Sequence, residues 1–231
     1  MNESSITAVP VITIDGPGGS GKGTVAMRLA QELDWHFLDS GALYRIVAVA
    51  AMDRNIAVDD EEALGDQALH LDVNFGFSGD GIVILLDGNW ISGRLRSEKV
   101  SVFASQIAAV PAVRAALVER QRHFRKPPGL VADGRDMGTV IFPDAVLKIF
   151  LTATVDARAN RRYKQLKEKG ESVNLSRLFR EIEKRDERDS SRSVAPLKPA
   201  QDAHIIDSTE MSIDMVLDNV HNLLKKKQIS D

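Results

Sequence analysis

Short apolar runs alternate with longer amphipathic stretches along most of the chain. Val11-Ile12-Thr13-Ile14 is rich in β-branched residues and stops at Asp15 and a glycine cluster, after which Val25, Leu29 and Leu33 recur at spacing four. That is the pattern of a strand, a loop and a helix. The rhythm returns at His36-Phe37-Leu38 before Asp39-Ser40, at Leu130-Val131-Ala132 before Asp133-Gly134, over Val146 to Leu151, and at His204-Ile205-Ile206 before Asp207-Ser208. Strands of this kind, separated by helical excursions, predict an α/β fold with a five-stranded parallel sheet covered by helices on both faces.

Two segments depart from that rhythm. Between residues 61 and 111, Leu71 to Phe77, Ile82 to Leu86 and Trp90-Ile91 read as short strands joined at Gly79-Asp80-Gly81 and Asp87-Gly88-Asn89. A small antiparallel insert is expected there, dividing a core made of residues 1–60 and 112–231. Over residues 156–195, two charged helical stretches flank Gly170, and so many arginines make the region too polar for a buried core element. It is expected to act as a lid. There is no internal repeat and no low-complexity tract.

The glycine cluster after the first strand is Gly16-Pro17-Gly18-Gly19-Ser20-Gly21-Lys22-Gly23-Thr24, which has the G-x-x-x-x-G-K spacing of a phosphate loop. Glycines let backbone N–H groups turn toward phosphate oxygens, the following helix offers the positive end of its dipole, and Lys22 adds a full charge at the β- and γ-phosphates. A nucleoside triphosphate is the expected ligand. The residue after Lys22 is Gly23 where such loops carry Ser or Thr, so the hydroxyl that ordinarily meets magnesium is absent from its usual place and Thr24 is the nearest alternative. Asp133, at the end of a predicted strand, has two readings: orienting magnesium through water, or capping a loop.

Composition narrows the rest. With 231 residues, 43% hydrophobic and 27% charged, the chain has the profile of an ordinary soluble protein with one sizeable core. No cysteine is present, so disulfide and thiolate chemistry are excluded and a cytoplasmic location is the simplest expectation. Met1 to Pro10 lacks a signal-peptide pattern, and no apolar run is long enough to span a bilayer, so no membrane role is expected. A net charge of −3 argues against a nucleic-acid partner despite the arginines gathered between Arg158 and Arg192. The histidines show no ligand spacing, Trp35 and Trp90 read as packing residues, Lys225-Lys226-Lys227 reads as a solvated helix end, and a monomer is the default.

The G-K-G-T variant resembles that of nucleoside monophosphate kinases, and further segments sharpen the likeness. Leu38-Asp39-Ser40-Gly41-Ala42-Leu43-Tyr44-Arg45, Ala132-Asp133-Gly134-Arg135-Asp136-Met137-Gly138-Thr139, Lys184-Arg185-Asp186-Glu187-Arg188-Asp189 and Val194-Ala195-Pro196-Leu197 together resemble the bacterial-type cytidylate kinases over nearly the whole chain. The resemblance implies a P-loop kinase that transfers the terminal phosphoryl group of ATP, with Mg2+, to CMP or dCMP. It implies that Arg45, Arg135 and Arg192 hold the acceptor phosphate, that Ser40 and Tyr44 belong to the same acceptor site, and that Ser105, Arg114 and Asp136 meet the base. It further implies that Arg185 and Asp189 meet the sugar and that lid arginines such as Arg158 and Arg162 close over the donor.

Elementary chemistry agrees with parts of this. Loops at the carboxyl ends of parallel strands are where open α/β sheets bind ligands, which independently favours Arg135 and the segment from Ser40 to Arg45. Cytosine offers a donor at N4 and acceptors at N3 and O2, a match for one carboxylate and one guanidinium; uracil inverts N4 and N3, at a cost of about 2–5 kcal/mol in a partly dry pocket. Phosphoryl transfer to an ionised phosphate needs no general base, only alignment and cationic charge. Competing readings are a kinase for AMP, UMP or a shikimate-like alcohol, and a non-catalytic nucleotide-binding switch. A guanine-reading N-K-x-D motif is absent.

Overall fold

The first apolar run is a strand buried at every position, β1 (Val11–Asp15), in the computed structural model of the chain, which describes residues 9–78, 81–91, 93–168 and 170–227. After it come α1 (Lys22–Glu32), β2 (His36–Asp39), α2 (Ser40–Asp53), α3 (Glu61–Leu69), β3 (Val73–Ser78), β4 (Gly81–Leu86) and β5 (Asn89–Trp90). Then follow α4 (Glu98–Ile107), α5 (Pro111–Arg122), β6 (Leu130–Gly134), β7 (Leu147–Thr152), α6 (Val155–Glu168), α7 (Leu175–Ser191), β8 (His204–Asp207) and α8 (Ile213–Lys227). Two units result: one takes the chain up to Asp39 and from Arg122 onward, the other is Ser40–Gln121.

The first unit is built on a parallel sheet of order β2-β6-β1-β7-β8. Its strands are the five that the apolar runs predict, with β7 starting at Leu147, one residue later than the run. The chain leaves β1 toward β2 and β6 on one side and reaches β7 and β8 on the other, so the carboxyl end of β1 lies at a switch point. Ile12, Ile14, Val131, Ile149 and Leu151 from the sheet form one core with Val25 and Leu29 of α1 and with Val216, Leu217, Val220 and Leu224 of α8. Helical spacing puts each of those sets on one face. Trp35 packs against this core, and its indole ring fills the space that a Cβ on Gly129 would take.

In the second unit α2 is buried along most of its length and packs on α4, while β3, β4 and β5 form the small antiparallel sheet that the sequence suggests. Side-chain caps start two of its helices: Asp60 accepts from the Ala63 N–H and Ser97 from the Val100 N–H. The unit begins at Ser40 and ends at Gln121, a wider span than the 61–111 insert read from the strand pattern, since α2 and α5 belong to it. Trp90 is not a packing residue: it is 66% exposed on the outer face of a two-residue edge strand, and the next position, Ile91, turns inward. The Gly79-Asp80 part of the expected turn lies outside the described residues. Among the described residues no single helix is long and apolar enough to cross a membrane.

Candidate active site

β1 ends at Asp15, and the chain turns through Gly16 to Gly21 before α1 begins at Lys22. A helix start leaves N–H groups without intrahelical partners, and α3, α4 and α7 satisfy one each with an Asp, Ser or Asn side chain. For α1 the cap position is Gly21 at φ 94°, with no capping side chain, so its first N–H groups and the dipole behind them are left for an anion. Gly23 owes its small size to Asp133 at the end of β6: a Cβ there would stand 2.9 Å from Asp133 Oδ2. The carboxylate thus fills the space where a phosphate loop with Ser or Thr would project its side chain.

Cations surround this loop. Lys22 Nζ donates to the Pro17 carbonyl at 3.3 Å and stands 3.8 Å from Asp133 Oδ1. Arg158, only 3% exposed, donates through NH1 to the Gly18 carbonyl at 3.1 Å, through Nε to the Ala153 carbonyl at 2.9 Å, and pairs with Asp186 at 2.5 Å. The lid reading treats this region as too polar to bury, yet Arg158 is buried because backbone carbonyls and a carboxylate satisfy its donors. Arg135 and Arg185 lie against Gly18, about where a Cβ would meet their guanidinium nitrogens at 3.5 and 3.6 Å. Burial and then the charge of Arg135 lower the Lys22 pKa to about 8, against the opposing pull of Asp133. Burial and neighbouring guanidinium charge both disfavour the charged form of the lysine, and a bound anion would offset both.

Asp189 of α7 gathers three arginines of this unit. Arg135 Nε reaches its Oδ2 at 2.9 Å, Arg185 Nε stands 4.0 Å from the same oxygen, and Arg192 NH2 stands 3.6 Å from Oδ1. Burial pushes the Asp189 carboxyl up, but the three arginines together outweigh it and hold it below the ordinary range. Next to them Asp136 is buried, at the mouth of a short π-type turn, Met137–Ile141, in which the Asp136 carbonyl accepts from both Val140 and Ile141. Asp15 closes the turn's other side by accepting the Met137 and Gly138 N–H groups at 2.9 and 2.8 Å. Burial raises its pKa to about 7, with the two N–H groups pulling it down and the Asp136 and Asp133 charges adding to the rise.

In the second unit Arg114 is 5% exposed and donates through NH1 to the Tyr44 hydroxyl at 3.3 Å and to the Ala108 carbonyl at 3.2 Å. Ser40, Tyr44 and Ser105 are buried and Arg45 is half-buried, Ser40, Tyr44 and Arg45 all in the first turns of α2. Of the remaining expected residues, Thr24 is exposed on α1 and Arg162 is half-buried on α6. Sequence reasoning passed over Arg161, which donates through NH1 to the Ser20 carbonyl at 3.4 Å and to Ser208 Oγ at 3.2 Å, and through NH2 to the Ser208 and Thr209 carbonyls. Ser208 Oγ itself donates to the Ser20 carbonyl at 3.0 Å. Its place after β8, at a carboxyl end of the sheet, is the signal that could have pointed to it.

A magnesium ion that accompanies a nucleotide needs few protein ligands, one or two hard oxygens beside phosphate and water. The Asp133 carboxylate at the phosphate loop suits that demand, and among the described residues no cluster of three or more His, Cys, Asp or Glu offers a fuller cage.

The family model described as cytidylate kinase matches residues 12–226. The cytidylate kinase of Stutzerimonas stutzeri is 59% identical over 217 residues, 93% of this chain and 95% of that one. Those of Photobacterium profundum and Klebsiella pneumoniae are 55% and 53% identical, covering 91% and 95% of this chain and 92% and 96% of their own.

Proposed function

This chain belongs to the cytidylate kinase family, and from that premise we propose that it transfers the γ-phosphoryl group of ATP to CMP or dCMP, giving ADP and CDP or dCDP. It is a nucleoside monophosphate kinase, a phosphotransferase. The observation that carries the chemistry is the uncapped start of α1, ringed by Lys22, Arg135, Arg158 and Arg185. A polyphosphate matches those free N–H groups and cations.

In the proposed roles, the backbone from Gly16 to Thr24 and Lys22 hold the β- and γ-phosphates, with Arg158 and Arg162 over the donor. Arg45, Arg135 and Arg192 hold the acceptor phosphate; Ser40 and Tyr44 serve the acceptor too, and Arg185 and Asp189 meet the ribose. Ser105, Arg114 and Asp136 read cytosine, the guanidinium facing O2 and N3 and the carboxylate accepting from N4. The approach of Arg135 to Gly18 supports a role on the transferring group, since its charge already lies against the donor loop. Asp189 supports the acceptor assignment by holding Arg135, Arg185 and Arg192 in one cluster. When magnesium is bound, Asp133 and Thr24 would hold it through water, and it would neutralise charge on the β- and γ-oxygens. No residue need take a proton from the acceptor, whose phosphate oxygen is already the nucleophile. The arginines align the reacting oxygens and keep water from competing for the phosphoryl group.

Incubating the protein with ATP, magnesium and CMP and quantifying both products tests this directly. One CDP for each ADP, with ADP at background when CMP is omitted, is the expected result. ADP released without CDP would contradict it.

A further inference from the structure

We propose that Asp15 is a positioning residue for phosphoryl transfer: its carboxylate ties the loop that carries Arg135 and Asp136 to the strand that leads into the phosphate loop. The inference rests on CMP being the acceptor. Asp15 is the last residue of β1, and Gly16, the first residue of the phosphate loop, follows it directly. Its two oxygens divide the work. Oδ1 accepts the Met137 N–H at 2.9 Å and Oδ2 accepts the Gly138 N–H at 2.8 Å. Those two residues come immediately after Arg135 and Asp136. One side chain therefore fixes the spacing between the donor loop, which its own backbone enters, and the acceptor residues, which its carboxylate anchors.

A second contact pins the same turn. Gly138 lies so close to β1 that a Cβ on it would stand 2.8 Å from Thr13 Oγ1, so the turn is pressed on the strand at Thr13 and clamped at Asp15. The choice of a carboxylate is costly in this place. Asp15 is 5% exposed, has no cationic partner among the described residues, and lies near the carboxylates of Asp133 and Asp136. A hydroxyl or a single carbonyl would accept one N–H more cheaply. Only a carboxylate offers an acceptor to both N–H groups in this geometry; an asparagine would turn its own N–H2 against one of them.

Asp15→Asn and Asp15→Ser are the tests, each assayed in the full chain for kcat and for the KM of ATP and of CMP separately, with the melting temperature and its shift on adding ATP or CMP. The CMP KM should rise about tenfold or more and kcat should fall, while the ATP KM stays within about twofold. The CMP-induced thermal shift should shrink and the ATP-induced shift persist. Unchanged CMP kinetics, or ATP and CMP constants that worsen in parallel with the melting temperature, would overturn the proposal. Should Asp15→Asn not fold, Asp15→Ser, which removes one acceptor without adding an opposed donor, carries the same comparison. Wild-type turnover of CMP, measured alongside, reports on the acceptor assignment itself, so failure of that reading and failure of this one are separate results.

Discussion

At Gly23 and Asp133, two side-chain choices far apart in the sequence explain each other. The phosphate loop lacks the usual hydroxyl after Lys22 because the Asp133 carboxylate stands 2.9 Å from where its Cβ would be. Restoring the hydroxyl by Gly23→Ser should therefore harm the enzyme, lowering kcat/KM for ATP about tenfold; steady-state kinetics against ATP check this. The Tyr44 hydroxyl accepts from Arg114, so Tyr44→Phe should leave the ATP KM unchanged and raise the CMP KM about fivefold, as Arg114 loses one of its fixed partners. Residue identities at the phosphate loop were legible because the glycine and lysine spacing is itself the mechanism. Arg161 and Ser208 were not, because a guanidinium that meets backbone carbonyls has no sequence signature: its partners are atoms every residue has.

Helices α6 and α7 show the same limit one level up. Their composition is polar enough to predict exposure, but Arg158 and Asp189, both 3% exposed, are interior to the unit once their partners are in place. Periodicity reports which face is apolar and says nothing of a charge neutralised by another element. Arg161 of α6 holds the segment after β8 to the phosphate loop, so Arg161→Ala should raise the ATP KM about fivefold with the CMP KM little altered, again by initial-rate kinetics. Burial alone would raise the carboxyl of Asp189 in α7, and the charges of Arg135, Arg185 and Arg192 overcome it to hold the group below the ordinary range. Such a group stabilises the fold above its unfolded value and loses that contribution as pH falls through the lower folded value. Melting curves from pH 7 downward should drop more steeply below about pH 4 for the wild type than for Asp189→Asn. At neutral pH the variant should be the less stable by about 3 kcal/mol, since three arginines lose a buried partner.

For the whole molecule, the parallel sheet and its strands could be read from β-branched runs ending in Asp or Gly, because each buried strand must be apolar on both faces. The extent of the second unit could not. Its limits at Ser40 and Gln121 depend on α2 packing against α4, and an amphipathic helix reveals that it has an apolar face without revealing what covers it. Family membership says more about substrate than packing does, and the acceptor base is the point at which the proposed roles of Arg114 and Asp136 meet experiment. The most direct measurement is ADP formation from ATP and magnesium with CMP, dCMP, UMP, AMP and no acceptor in parallel, at matched concentrations. Strong turnover is expected with CMP and dCMP, weaker turnover with UMP by roughly the factor that two mismatched polar contacts impose, about 2–5 kcal/mol, and none above background with AMP. UMP or AMP outpacing CMP would contradict the cytosine-reading role of Arg114 and Asp136, and no acceptor-dependent ADP at all would contradict the kinase itself.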